Sequence, residues 1–174
     1  VFTKKRHLSF LSMADSACLG LITGQMIGRW GNFINCEAFG RYTDCLFAMR
    51  IRRSIVNESM ISQNLIDHLI LDNGIEYIQV HPTFLYESLW NFGLLMFMLW
   101  FRKRKTFTGE MLCIYLTGYG IGRAWIEGLR TDSLLIPGTQ IAVSQALSVV
   151  LATVSLVILI YNRRKAFVQG KEAN

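Results

Sequence analysis

Four long apolar segments constrain this chain more than any other feature of its sequence. They run over residues 11–33, 82–101, 109–127 and 137–161, and each has about the 20 residues that a helix needs to cross a bilayer core. The whole chain is 52% hydrophobic and only 17% charged, which is more apolar than soluble domains usually are. The sequence therefore predicts an all-α polytopic membrane protein with four transmembrane helices.

The polar stretch between the first two segments, residues 41–80, has a different pattern. Residues 46–52 and 76–80 are predicted as strands, and the spacing of apolar residues over 59–71 favours a helix. Asp72-Asn73-Gly74 is typical of a turn. We expect a small cap of mixed α/β structure outside the membrane.

Short basic runs predict the orientation of the spans. Lys4-Lys5-Arg6 precede the first span, Arg102 to Lys105 lie between the second and third, and Arg163-Arg164-Lys165 follow the fourth. If the spans alternate in direction, all three runs fall on one side, which the positive-inside rule makes cytoplasmic. We therefore expect an extracytoplasmic cap and a cytoplasmic C terminus. The net charge of +6 does not indicate nucleic-acid binding, because no motif of that kind is present.

The cysteines give no support for a metal site or a redox pair. Cys18, Cys36, Cys45 and Cys113 show no CxxC spacing and no cluster with histidine. Cys36 lies inside the polar motif described below, but no histidine is near it in sequence. We expect no metal site and no catalytic role for Cys36.

Polar and ionisable residues are concentrated at the predicted outer ends of three spans. Such groups are costly at membrane depth and therefore indicate function. Arg123 and Glu127 are four residues apart and can pair on one helix face, and arginine makes forked contacts with phosphate oxygens. Snorkelling arginines or interfacial aromatic residues would explain single members of the set but not their concentration. The residue types predict an intramembrane site for an anionic lipid or substrate, formed by Arg29, Asn32, Asn35 and Glu37, by His81, Tyr86 and Glu87, and by Arg123, Glu127 and Arg130.

Three segments carry a resemblance to a known family. The run from Gly28 to Gly40, GRWGNFINCEAFG, resembles the signature of the prolipoprotein diacylglyceryl transferases, which are bacterial inner-membrane enzymes. The segments HPTFLYE (81–87) and GIGRAWIEGLR (120–130) are similar to two further motifs of that family. The resemblance extends over essentially the whole chain.

The resemblance implies a fold and a reaction. Members of the family have seven spans, and the four predicted here match the last four, so we expect this chain to be the C-terminal portion of a longer protein. The reaction transfers the diacylglyceryl group of phosphatidylglycerol to the lipobox cysteine thiol in the signal peptide of a prolipoprotein, the first step of lipoprotein maturation. The implied site faces the extracytoplasmic side of the bacterial plasma membrane and needs no metal or cofactor.

The resemblance also assigns roles to residues. Arg29 and Arg123 would bind the lipid phosphate and stabilise the leaving group, and Glu37 and Glu127 would join them as catalytic residues that organise the site. The remaining positions would contribute to substrate binding: Asn32, Asn35, Tyr86, Glu87 and Arg130.

One family feature has no match in this chain. The histidine- and glycine-rich loop, whose histidine is a proposed general base for the thiol, is not matched by His7 or His68, and His81 belongs to another motif. We therefore expect the 174 residues alone to transfer little or no lipid. The alternative interpretation is a non-catalytic membrane module, or a truncated relative, that binds anionic lipid.

Overall fold

Four long helices dominate the structure, a computed structural model that describes residues 9–131, 134–139 and 141–172. The basic run at residues 4–6 lies outside the described residues. In chain order the elements are α1 (Phe10–Ile34), β1 (Met49–Arg52), α2 (Gln63–Asp67), β2 (Ile70–Asp72), β3 (Ile75–Val80), α3 (Thr83–Phe101), α4 (Glu110–Glu127) and α5 (Val143–Glu172).

Three helical segments of the described chain are long and apolar enough to cross a membrane by length and composition. They are Phe10–Ile34, Thr83–Arg104 and Val143–Gln169. Helix α4 is not among them, since its 18 residues include the ionisable Glu110, Arg123 and Glu127. It packs against α1, α3 and α5, and both of its carboxylates are buried. The structure thus has three candidate membrane helices where the sequence predicted four.

Helix α5 begins later than the sequence predicted. We expected it from Pro137, but residues 137–138 form a turn in which Gly138 has a φ of +80°. On either side of this turn, Leu135 and Ala142 form an antiparallel bridge. The backbone N–H groups are therefore used in a small hairpin, and the helix begins at Val143. It continues to Glu172, beyond the expected end at residue 161.

The cap contains a three-stranded antiparallel sheet in the order β1-β3-β2. Asn73 and Gly74, at φ values of 48° and 77°, join β2 to β3 in a two-residue hairpin turn that requires such left-handed residues. The sheet covers a small core of buried side chains: Phe39, Ile51, Val56, Leu65, Ile78 and Val80.

The sequence predicted the cap only in part. The strand expected over 46–52 begins at Met49. The helix expected over 59–71 is reduced to α2, because residues 70–72 pair with β3. Backbone pairing with a neighbouring strand has thus overridden the local helical spacing.

Backbone hydrogen bonds attach the end of the Gly28–Gly40 motif to two helix ends. Gly40 N–H donates to His81 O at 3.0 Å, and His81 N–H donates to Arg41 O at 3.0 Å. Arg41 N–H donates to Leu129 O at 2.9 Å. The segment after α1 is therefore held between the start of α3 and the end of α4.

A buried carboxylate ties the opposite ends of the helices together. Asp15 of α1 accepts hydrogen bonds from Gly109 N at 2.8 Å and Leu112 N at 3.0 Å, and lies 2.8 Å from Lys105 Nζ. It thereby caps the N terminus of α4, where free N–H groups favour an anion. Arg163 of α5 pairs with Glu110 at the same end, with Nε 2.8 Å from Oε1. The two described basic runs thus lie at one end of the helices.

Two sets of glycines in the helices have different surroundings. A Cβ on Gly122 would lie 2.2 Å from Trp90 Nε1, so the indole of Trp90 on α3 packs directly against the α4 backbone at this point. A Cβ on Gly20, Gly24 or Gly28 would meet nothing within 4 Å. No other described part of the chain therefore packs closely against these three glycines of α1, although their four-residue spacing is typical of close helix packing.

We expect Gly40→Ala to loosen the cap. Its Cβ would lie 2.6 Å from His81 Cβ and 3.1 Å from Leu129 O, so one of the three chain segments that meet there has to move. Overpacking of this kind costs about 1–3 kcal/mol. Limited proteolysis within residues 41–80 should become faster.

Gly28→Ala is the matched control, because its Cβ would enter open space. Its digestion rate should match that of the wild type. Equal rates for Gly40→Ala and Gly28→Ala would contradict the close approach.

Candidate functional site

One carboxylate joins three of the long helices at the end that carries the cap. Glu87 of α3 is 5% exposed. Its Oε2 lies 2.8 Å from Arg29 Nε of α1, and its Oε1 lies 3.2 Å from Arg123 Nη1 of α4. The two arginines that the sequence analysis placed on separate spans are therefore brought to one point.

The ionic network continues along α4 through Glu127. Arg123 Nη2 lies 2.6 Å from Glu127 Oε2, the pair predicted from their four-residue spacing. Arg130 Nη1 lies 3.9 Å from the same oxygen. Glu127 is 4% exposed. Three guanidinium groups thus surround two buried carboxylates, an arrangement with capacity for a further anion.

Glu37 lies in a tight turn of its own. Its Oε1 accepts hydrogen bonds from Asn32 Nδ2 at 3.1 Å and Asn35 Nδ2 at 3.3 Å. Cys36 and Ala38, on either side of it, have φ values of 52° and 55°. Such left-handed residues are uncommon outside glycine, and here they fold the chain back over the end of α1.

Glu37 and Arg29 belong to the same sequence motif, but their side chains have different partners. In the described part of the chain, Glu37 forms no ion pair with Arg29, and Glu87 holds this guanidinium instead. The contacts therefore connect Glu37 with the asparagines and not with the arginine cluster. Proximity in the sequence therefore does not identify the partner of Arg29.

A second polar group lies beside the cluster at the start of α3. Tyr86 OH is 3.2 Å from His81 Nδ1 and 3.7 Å from Cys45 Sγ of the cap. Burial lowers the pKa of His81 below its ordinary value, which favours the neutral imidazole. Hydrogen bonding by Thr43 and Tyr86 lowers the pKa of the Cys45 thiol. Sequence reasoning missed Cys45, which has no motif around it.

A cleft of about 570 Å³ opens between the cap and the end of α4. Arg130 lines it and also contacts Glu127, so the cleft borders the ionic network. Its other lining residues are Arg41, Tyr42, Ser62, Asn64, Thr131 and Leu135. Among the described residues, no three His, Cys, Asp or Glu side chains are grouped as metal ligands.

We expect Glu87→Gln to lower the free energy of unfolding by about 3 kcal/mol, because it leaves two partly buried guanidinium groups without their shared counter-charge. Chemical unfolding of the purified chain in detergent would measure the change.

Glu76→Gln is the control for this substitution. Glu76 pairs with Arg53 at 2.7 Å, but both side chains are exposed, at 48% and 34%. A surface pair contributes less than about 1 kcal/mol. Similar losses in the two variants would contradict a special role for Glu87.

Comparison with known proteins gives a consistent result. The family model described as prolipoprotein diacylglyceryl transferase matches residues 1–161. The relative from Bacillus velezensis is 37% identical over all 174 residues of this chain, which cover 59% of that protein. The relative from Clostridioides difficile is 40% identical over 142 residues, 82% of this chain and 48% of the other. For the relative from Geobacillus kaustophilus the identity is 39% over 171 residues, 98% of this chain and 58% of the other.

All three relatives bear the name phosphatidylglycerol–prolipoprotein diacylglyceryl transferase. The chain spans roughly half to three fifths of their length. With the family model matched over 161 of its 174 residues, the chain belongs to the prolipoprotein diacylglyceryl transferase family.

Proposed function

We propose that this chain forms the phosphate-binding part of a site that transfers the diacylglyceryl group of phosphatidylglycerol to the cysteine thiol of a prolipoprotein. The observation that carries the proposal is the meeting of Arg29 and Arg123 on Glu87. The relatives' names specify the lipid and the protein substrate.

The reaction needs positive charge at the phosphate. The cysteine sulfur, as a thiolate, attacks the glycerol carbon that carries the phosphate, and a carbon–sulfur bond forms. The carbon–oxygen bond to the phosphate breaks, its electron pair stays on oxygen, and glycerol-1-phosphate leaves. Guanidinium groups fixed at this oxygen stabilise the charge that develops there.

The proposed role of Glu87 is to orient both arginines without using all their donors. It engages Arg29 through Nε, and a guanidinium has five N–H groups in a planar fork. The terminal nitrogens of Arg29 can then donate to two phosphate oxygens. Arg123 is held differently, by Glu87 at Nη1 and by Glu127 at Nη2, so each of these nitrogens would keep one N–H for the phosphate. Arg130 would extend the positive edge toward the cleft.

The other motif residues would shape the place where the lipid headgroup enters. Asn32 and Asn35 hold the Glu37 turn, and Tyr86 lies against His81. The thiol has an ordinary pKa of about 8.5, so a base helps to form the thiolate. Among the described residues, His81 is the first to examine for this role, because its burial favours the neutral imidazole.

We also propose that the cap and the arginine cluster face the extracytoplasmic side, with α5 ending in the cytoplasm. The support is that the basic runs near Lys105 and Arg163 lie together at the other end of the helices, as the positive-inside rule requires for a cytoplasmic end.

We expect Arg29→Lys to weaken the binding of phosphatidylglycerol to the purified chain by about tenfold or more, although the charge is kept, because lysine lacks the planar fork. Titration with a fluorescent phosphatidylglycerol in detergent micelles would give the affinity.

Arg53→Lys is the control, since Arg53 also pairs with a glutamate but lies in the exposed part of the cap. Its affinity should stay within about twofold of the wild type. An unchanged affinity in Arg29→Lys would refute the phosphate clamp.

The orientation predicts a labelling pattern in intact cells. A chain that retains Cys45 as its single cysteine should react with an impermeant maleimide, because this residue is exposed in the cap. A cysteine at position 104, in a chain without the native cysteines, should react only after lysis. The reverse pattern would overturn the orientation.

A further inference from the structure

A second polar layer lies one helical turn from the arginine cluster, toward the end that carries Asp15. Gln25 is four residues before Arg29 on α1, and Asn91 is four residues after Glu87 on α3. The two helices run in opposite directions, so Gln25 and Asn91 are both displaced from the cluster toward the same end of the helices. Gln25 Nε2 donates to Tyr115 OH of α4 at 2.9 Å, and the three helices thus all contribute to the layer.

The hydrogen bonding of this layer is incomplete. Asn91 is 2% exposed, and its Nδ2 has no hydrogen-bond partner in the described part of the chain. Gln25 Oε1 is also buried without a partner there. Each such group costs about 1–3 kcal/mol, a cost that leucine would avoid. The layer directly below it is apolar and includes Cys18, Ile22 and Met98, so packing does not require amides here.

The position of the layer matches the chemistry of a phospholipid. The ester carbonyl carbons lie about four covalent bonds from the phosphate ester oxygen, a length comparable with the 5.4 Å of one helical turn. A lipid whose phosphate is held by Arg29 and Arg123 would therefore bring its ester carbonyls to the depth of Asn91. Gln25 is only partly buried, and the proposal below requires a lipid to reach the layer past its side chain.

We propose that Asn91 and Gln25 bind the ester carbonyls of the diacylglyceryl group and so select ester-linked over ether-linked lipid. Asn91 Nδ2 donates to one carbonyl. A half-turn of the Gln25 amide lets Tyr115 OH donate to Oε1, and Nε2 then donates to the second carbonyl. The inference rests on the proposed phosphate clamp, because the clamp sets the depth of the lipid.

The test compares diacyl phosphatidylglycerol with the dialkyl ether lipid of the same headgroup and chain length. The affinity of each for the 174-residue chain is measured in detergent micelles. The wild type should prefer the ester by about five- to tenfold, the effect of one or two hydrogen bonds. Asn91→Leu should lose most of this preference and bind the ether lipid as the wild type does.

Thr117→Val is the matched control. Thr117 Oγ1 is also buried without a hydrogen-bond partner in the described chain, but it lines a separate apolar cavity with Leu94 and Leu159. The ester preference should survive this change. Infrared spectra of lipid with ¹³C-labelled ester carbonyls give a second measurement, since the carbonyl band should lie at lower frequency in the wild-type complex than in the Asn91→Leu complex.

The outcomes separate the two proposals. Equal affinities of the wild type for both lipids, or a preference and a band position unchanged in Asn91→Leu, would overturn the ester site and leave the clamp intact. Arg29→Lys should weaken both lipids equally and keep the preference. If the wild type binds neither lipid, the clamp itself fails, and the ester site fails with it.

Discussion

The arrangement of the long helices around the site depends on the carboxylate of Glu87. It is buried and lies within ion-pair distance of guanidinium groups from two other helices. A charge in such a position is tolerated only when it is paired, and here arginines from two different helices pair with it. Packing of apolar side chains can bring helices together in several registers, whereas a shared carboxylate permits only those in which all three groups meet.

The connections around the cluster restrict it further. The chain leaving α1 is bonded to the entry of α3 and to the exit of α4 through Gly40, Arg41 and His81. Thr83 Oγ1 adds a hydrogen bond to Ala38 O within the same junction. These bonds join backbone to backbone, or backbone to a short side chain, so they fix the positions of the three chain segments. The longer arginine side chains of the cluster take no part in them and can adjust. If the site admits a lipid headgroup as proposed, this division between fixed backbone and adjustable side chains would favour its entry.

Sequence reasoning succeeded where the physical signal is local. The i,i+4 spacing of Arg123 and Glu127 and the Asn73-Gly74 hairpin turn both follow from short-range geometry and are confirmed. It was less successful where contacts across the fold decide. Nothing in the sequence indicates that Arg29 is held by Glu87, 58 positions away, instead of the nearby Glu37. The pairing of residues 70–72 with β3 likewise shortened a helix that its own spacing favoured.

Asp15 has a consequence for the lengths of two helices. Fourteen positions separate Asp15 from Arg29 on α1, and fourteen separate its partner Gly109 from Arg123 on α4. The two parallel helical segments therefore have the same length, about 21 Å at 1.5 Å per residue, and both begin at the contact between Asp15 and Gly109. A substitution that keeps the helix leaves the two segments equal in length. A single inserted or deleted residue would shift one arginine by about 1.5 Å along its helix and rotate it by about 100°, away from Glu87. The number of residues in each segment is therefore more constrained than their identity.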